Sequence, residues 1–135
     1  YADSIGSCFA LETGPEPGKR LAEFLNSLDA KGVRVNLDPA NLVMDAGDDP
    51  VEAVEYLKDY IVHTHAKDGR KLGATTYIEL PLGQGDVDFD AYLKKLVSVG
   101  FDGYLTIERE VGENPYADIK LAFEFLTEKK RLLGV

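Results

Sequence analysis

The chain is short of positive charge: 15 lysines and arginines stand against 24 aspartates and glutamates, a formal net charge of −9. A protein that binds nucleic acid must neutralise phosphates, and it gathers basic residues on one face to do so. Here the local basic clusters are Arg70-Lys71 and Lys129-Lys130-Arg131. The second reads as a solvated helix end, where cations meet the negative end of the helix dipole. A nucleic-acid partner is therefore not expected. Cys8 is the one cysteine, so no disulfide can close within the chain, which fits a reducing cytoplasm. No apolar run approaches the roughly 18 residues that cross a bilayer, so no membrane partner is expected. No basic segment followed by an apolar stretch opens the chain, so no signal peptide is expected either. The first residue is Tyr1 rather than Met, which points to a piece of something longer or to a processed product.

What is present is an ordinary globular composition. Of the 135 residues, 44% are hydrophobic and 29% charged, enough apolar surface to offset chain entropy. The length predicts a single domain over residues 1–135. Four strand-then-helix units follow one another. Ser7 to Glu12 is a short apolar run ending in a carboxylate; a Gly- and Pro-rich loop follows, and then Leu21, Phe24, Leu25 and Leu28 recur at helical spacing, closed by Lys31-Gly32. The second strand is Val33 to Leu37, ending at Asp38. Its loop runs from Pro39 to Asp49, with Asp49 as cap and Pro50 in the first turn of a helix carrying Val51, Val54 and Leu57.

Ile61 to His65 is the third strand. A long segment, Lys67 to Leu82, separates it from a helical stripe of Phe89, Tyr92, Leu93 and Leu96 that Gly100 stops. The fourth strand is Gly103 to Glu108. The last helix is predicted from Pro115 to Leu133, with Ile119, Ala122, Phe123 and Leu126 inward. Strands alternating with helices predict an α/β fold with a parallel sheet. A (β/α)8 TIM barrel needs eight such units in about 250 residues, so this chain corresponds to a half barrel. A doubly wound open sheet is the alternative, but the GxGxxG fingerprint that would favour it is absent.

Each predicted strand ends in a side chain able to bind a metal: Glu12, Asp38, His65 and Glu108, at intervals of 26, 27 and 43 residues. The last interval is longer by the 16 residues of Lys67 to Leu82. Side chains on a strand alternate between faces. If these four point inward, Cys8, Ala10, Arg34, Asn36, His63, Tyr104 and Thr106 share their face. Phe9, Leu11, Val33, Val35, Leu37, Val62, Leu105 and Ile107 then face the helices. In all four strands the apolar residues fall on one side. The C-terminal strand ends are where barrel active sites sit.

Three carboxylates and one imidazole suit a divalent cation with mostly oxygen ligands, Mn2+ or Mg2+ best, with Co2+ or Zn2+ also compatible. Without a cation, three crowded carboxylates repel and raise one another's pKa. Isomerising or epimerising a ketose needs a proton removed beside a carbonyl and returned elsewhere. A metal polarises the oxygens and stabilises the enediolate, and a carboxylate on each side serves as base and acid. Glu12 and Glu108, on the first and fourth strands, are the catalytic pair on this reading.

Leu11-Glu12-Thr13-Gly14, Asn36-Leu37-Asp38-Pro39-Ala40-Asn41, His63-Thr64-His65-Ala66-Lys67-Asp68, Pro81-Leu82-Gly83-Gln84-Gly85 and Thr106-Ile107-Glu108-Arg109-Glu110 together resemble the last four strand ends of the sugar phosphate isomerase/epimerase superfamily. That superfamily holds xylose isomerase-like barrels, ketose 3-epimerases, inosose dehydratase and endonuclease IV (the AP endonuclease family 2). The resemblance runs through nearly the whole chain, and its strength lies in the order of the motifs. It implies a metal at Glu12, Asp38, His65 and Glu108, with the two glutamates as acid and base. It also implies a sugar substrate touching Lys67, Asp68 and Arg70. The chain departs from many epimerases at Asn41, where a second imidazole is common, and the superfamily's first four strands are absent.

Other residues carry plainer expectations. His63 is read as a partner supporting the ligands, since one imidazole completes the set. Glu16 is read as a solvated loop residue and Glu110 as a salt-bridged residue of the rim. Gly83 and Gly85 should let the backbone turn tightly, a phosphate cradle being the alternative. Two other functions compete with the isomerase or epimerase. A phosphodiesterase of the endonuclease IV kind wants several imidazoles and a basic face, and the chain has two histidines. A binding or assembly module would use the open sheet, whose edges and inner face predict a homo-oligomer. An inosose dehydratase-type lyase stays open beside them.

Overall fold

The protein is described by a computed structural model that covers residues 1–134. Four strands form one parallel sheet in the order β1 (Phe9–Glu12), β2 (Val33–Leu37), β3 (Ile61–Ala66) and β6 (Leu105–Ile107). Its helices are α1 (Gly18–Asn26), the short turn α2 (Pro39–Asn41), α3 (Pro50–Leu57), α4 (Phe89–Ser98) and α5 (Pro115–Leu133). The alternation of strand and helix thus produces the α/β architecture expected of it. Both outer strands, β1 and β6, leave an edge open.

Register fixes which side chains share a face. Glu12 pairs with Asn36, Asn36 with His63, and His65 with Thr106, so these residues line one side of the sheet. Val35, Leu37, Thr64 and Ala66 point to the other, where they are fully buried with Val54, Leu57 and Tyr92 from the helices. Thr64 is the polar residue that the strands contribute to that layer. Its hydroxyl donates to the Leu37 carbonyl at 2.7 Å and also bonds the Tyr92 hydroxyl. A bulge between Val35 and Asn36, where β3 uses one more residue than β2, keeps His63 and His65 on the inner side.

Capping chemistry sets the helix starts. Asp49 accepts from Val51 N at 2.8 Å with Pro50 in the first turn, as expected; Asp88 and Asn114 do the same for α4 and α5. Gly100, at φ +82°, follows α4 in the left-handed region open to glycine.

Several expectations are corrected. Phe24 and Phe123 do not face the core: they are 52% and 63% exposed, and Ile119 is exposed with them. Helical spacing admits more than one stripe. In α1 the buried one runs through Leu21, Ala22 and Leu25, and in α5 through Ala122 and Leu126, with Phe125 stacked edge-on against Phe89. Phe9 and Val62 are exposed rather than covered by helices; Phe9 lies on the open edge strand. The first helix stops at Asn26, not Lys31, where the Ser27 hydroxyl bonds the Phe24 carbonyl. The loop after Asp38 is helical, α2 running into a π turn over Leu42–Ala46. The long segment after β3 folds as an antiparallel hairpin, β4 (Asp68–Lys71) with β5 (Tyr77–Leu80).

Candidate metal centre

The C-terminal ends of the four parallel strands bring Glu12, Asp38, His65 and Glu108 together, with one potential ligand atom of each lying within 4.8 Å of all the others. The His65 ring is the hub. Its Nδ1 stands 3.1 Å from Asp38 Oδ2, 3.4 Å from Glu12 Oε1 and 3.0 Å from Glu108 Oε2.

Backbone ties hold each ligand in place. Thr13, buried behind Glu12, links two strand ends: its hydroxyl donates to the Asp38 carbonyl at 2.9 Å and accepts from Asp38 N at 2.8 Å. Asp38 caps α2, Oδ1 accepting from Asn41 N at 2.9 Å while Oδ2 faces His65. Glu108 N donates to the Ala66 carbonyl at 3.2 Å, which carries the ladder one residue past β6. Asn41, where a second imidazole was the comparison, donates through Nδ2 to Glu12 Oε1 at 3.2 Å and to the Thr13 carbonyl at 3.1 Å. It therefore orients Glu12 and adds no imidazole ligand.

Charge balance involves Lys67, whose residue is 3% exposed. Its ammonium donates to Glu110 Oε2 at 2.8 Å and Glu108 Oε2 at 3.2 Å. Burial opposes the Lys67 charge, but its pairs with Glu110 and Glu108 and the field of Asp38 outweigh that and hold the group above its ordinary value. Glu108 is raised, first by burial, against the pull of His65 and Lys67. His65 is raised by its bond to Asp38, against the cost of burial and with help from Glu108 and Glu12.

The other sequence candidates lie elsewhere. The Asp68 carboxylate is buried and accepts from four backbone N–H groups: Gly69 at 2.8 Å, Gly83 and Gly85 at 2.9 Å, and Val87 at 3.2 Å. Those bonds occupy the N–H groups of Gly83 and Gly85 that a phosphate cradle would need. A Cβ on Gly85 would run into the Asp68 carboxylate, so the close approach explains that glycine. Arg70 pairs with Asp86 at 2.7 Å on the hairpin and makes no bond to the four ligands. His63 stands on the inner face beside His65, its Nε2 bonded to the Thr106 hydroxyl at 2.8 Å. Glu110 is the Lys67 partner on the rim.

Sequence reasoning did not find Thr13 and Asn36 as supports of the site. Their signal was position, Thr13 directly after a ligand and Asn36 two residues before one on the same strand face.

The donor set fits a divalent cation. Spacings of 3.0–3.4 Å around Nδ1 match the ~3 Å edge between neighbouring ligands bonded at about 2.1 Å to one centre. On the far side of the same imidazole, Asn36 Nδ2 stands 3.0 Å from His65 Nε2, and Asn36 Oδ1 is buried without a partner, an acceptor in want of a donor.

A family model described as a xylose isomerase-like TIM barrel matches residues 1–129. The chain belongs to that family. Among solved structures it is similar to a xylose isomerase domain protein from Planctomyces limnophilus (33% identity, TM-score 0.89), covering 98% of this chain and 50% of that one. It is also similar to a D-tagatose 3-epimerase-like protein, at 25% identity and TM-score 0.80 over 98% and 50% of the two chains. An uncharacterised protein of Methanocaldococcus jannaschii is 29% identical over 93 residues, 67% of this chain and 30% of that protein. The chain thus spans about half the length of the solved family members, and its four-stranded sheet is half of a TIM barrel.

Proposed function

We propose that this chain carries the metal centre and the acid/base pair of a sugar isomerase or epimerase, acting on a sugar, sugar phosphate or polyol. The observation that carries this reading is the convergence of three carboxylates and one imidazole, one from each parallel strand end. A bound Mn2+ or Mg2+ would supply Lewis-acid polarisation of the substrate oxygens. Mainly oxygen ligands favour these ions over Co2+ or Zn2+.

The four ligands divide by access. Asp38 is 0% exposed and both its oxygens are engaged, so it holds the cation and has no freedom to shuttle protons. The Glu12 and Glu108 side chains are 44% and 28% exposed. They approach from opposite edges of the sheet, which lets one remove a proton beside a carbonyl while the other returns one. Raised by burial, Glu108 suits the acid role. Lys67 fixes Glu108 by an ion pair, and its ammonium is the substrate contact we retain from the expected set. Asp68 acts within its loop. The inner-face His63 and Thr106 would meet substrate hydroxyls.

Two histidines, a net charge of −9 and an amide at Asn41 speak against a phosphodiesterase. The test is a calorimetric Mn2+ titration of the chain beside Glu108→Gln and His65→Ala. Each variant should bind at least tenfold more weakly; equal affinity in all three would remove the site.

A further inference from the structure

His65 has two ring nitrogens, and they face different neighbours. Nδ1 faces the three carboxylates; Nε2 faces away, 3.0 Å from Asn36 Nδ2. With Nδ1 protonated and donating to Asp38, Nε2 is a bare lone pair and the Asn36 amide N–H is its donor. That is the arrangement of the metal-free protein with a neutral ring. A cation at Nδ1 needs the Nδ1 lone pair, so the ring proton must sit on Nε2. Then N–H would face N–H at 3.0 Å, which is repulsive. The amide has a second atom that resolves this. Asn36 Oδ1 is buried and has no hydrogen-bond partner, and a half-turn about χ2 exchanges oxygen and nitrogen with almost no change in shape. The exchange moves the unpartnered position from oxygen to nitrogen, so an orphan exists in either orientation. The ring tautomer decides which orientation is adopted.

We propose that Asn36 is a positioning residue of the metal centre: its amide turns over as the cation binds, giving Nδ2 to the bare Nε2 of the metal-free ring and Oδ1 to the Nε2–H of the metal-bound one. This rests on the metal reading above. Starting from the neutral ring, the proton leaves Nδ1 and one arrives at Nε2 through solvent, so the imidazole is neutral before and after and no net proton is released by the exchange. The role belongs to Asn36 alone among the neighbours described, because it is the residue whose side chain bonds His65 Nε2. Residues that anchor the remote nitrogen of a ligand histidine are worth about 10–100-fold in metal affinity.

The test uses Zn2+, which is diamagnetic, and 15N–1H correlation of the histidine side chains; the chain has two histidines, and His63→Gln assigns them. In the wild type, the His65 ring proton should be on Nδ1 without metal and on Nε2 with Zn2+, the latter slow to exchange with water. Asn36→Leu should bind Zn2+ 10–100-fold more weakly by calorimetry, with the Nε2–H signal lost to exchange. Asn36→Leu affinity within threefold of wild type would overturn the inference while leaving the metal reading standing. Ligation through Nε2, seen as a ring proton that stays on Nδ1 in the Zn2+-loaded wild type, would overturn it even if Asn36→Leu does not fold. Failure of the wild type to bind either Zn2+ or Mn2+ would remove the metal reading itself, and this inference with it.

Discussion

Replacing Asp68 should unfold a loop rather than weaken a substrate contact. Its carboxylate sits at the start of β4 and gathers four backbone N–H groups, two on each oxygen: Gly69 and Val87 on Oδ1, Gly83 and Gly85 on Oδ2. Hydrogen bonds to a charged acceptor are worth about 1.5–3 kcal/mol each. Burial of the carboxylate, which pushes its pKa up, offsets much of that sum. Water can reach exposed Gly83 but not buried Val87. Asp68→Ala should therefore cost about 3 kcal/mol, the low end for the loss of two unreplaced bonds. Asp68→Asn keeps the shape but turns an N–H2 toward two donors, and should cost about 2 kcal/mol. Urea unfolding followed by far-UV circular dichroism reads both as lower midpoints at constant slope. Mn2+ affinity of folded Asp68→Asn should stay within threefold of wild type. A loss of stability under about 0.5 kcal/mol in both variants would refute the structural role, since that is the range of surface substitutions away from such features.

Thr64 and Tyr92 offer an asymmetric pair. Tyr92→Phe removes one buried bond but leaves the Thr64 hydroxyl donating to Leu37, and should cost about 1 kcal/mol. Thr64→Val strands the Tyr92 hydroxyl inside the core and should cost about 2–3 kcal/mol; urea midpoints in the opposite order would contradict the network. The raised pKa of His65 in the metal-free chain gives a stability contribution that is complete below the ordinary histidine value of about 6.5 and is lost as pH rises through the folded value. The calorimetric melting temperature should fall across that window, more than in His65→Gln, and saturating Mn2+ should remove the fall. An equal slope in His65→Gln would count against it. Both outer strands have open edges, and Phe9, Tyr104 and Phe123 are exposed at 65%, 82% and 63%. The isolated chain is expected to dimerise; light scattering showing a clean monomer at micromolar concentration would exclude this.

The strand ends were legible because period-2 alternation leaves little freedom once one face is apolar: Val33, Val35 and Leu37 place Asn36 opposite, and a ligand follows at Asp38. The helices were legible in place but not in rotation. Leu21, Phe24, Leu25 and Leu28 satisfy helical spacing, yet Phe24 is exposed, since spacing defines a stripe only when the neighbouring surface is known. The β4–β5 hairpin was hidden for a different reason. Asp68-Gly69-Arg70-Lys71 has no β-branched or aromatic residue. Its pairing depends on the turn in which Leu72 N and Gly73 N both bond the Thr76 carbonyl, and on Gly69 passing close against Met44. Resemblance alone points Lys67 toward substrate, and position alone puts its partner Glu110 on the rim. That the two form one ion pair follows from tertiary placement, 43 residues apart in the chain.

Metal binding and turnover should separate in this chain, and the fold explains why. All four ligands come from adjacent strands of one sheet, and every bond that orients them, through Thr13, Asn41, Asn36 and Lys67, lies within the same 135 residues. Three carboxylates against one ammonium leave an excess negative charge at the centre that a divalent cation would compensate. The four candidate ligands and the groups that hold them thus lie together on one sheet. A substrate, by contrast, must be enclosed, and half a barrel offers one wall: Glu12, His63 and Thr106 face an open side. On the proposed function, a substrate carbon left open to water would exchange its proton with solvent instead of receiving it from the opposite carboxylate. On the proposed function, the chain should therefore bind Mn2+ while turning over slowly, and adding a complementary half barrel should raise kcat far more than it tightens the metal.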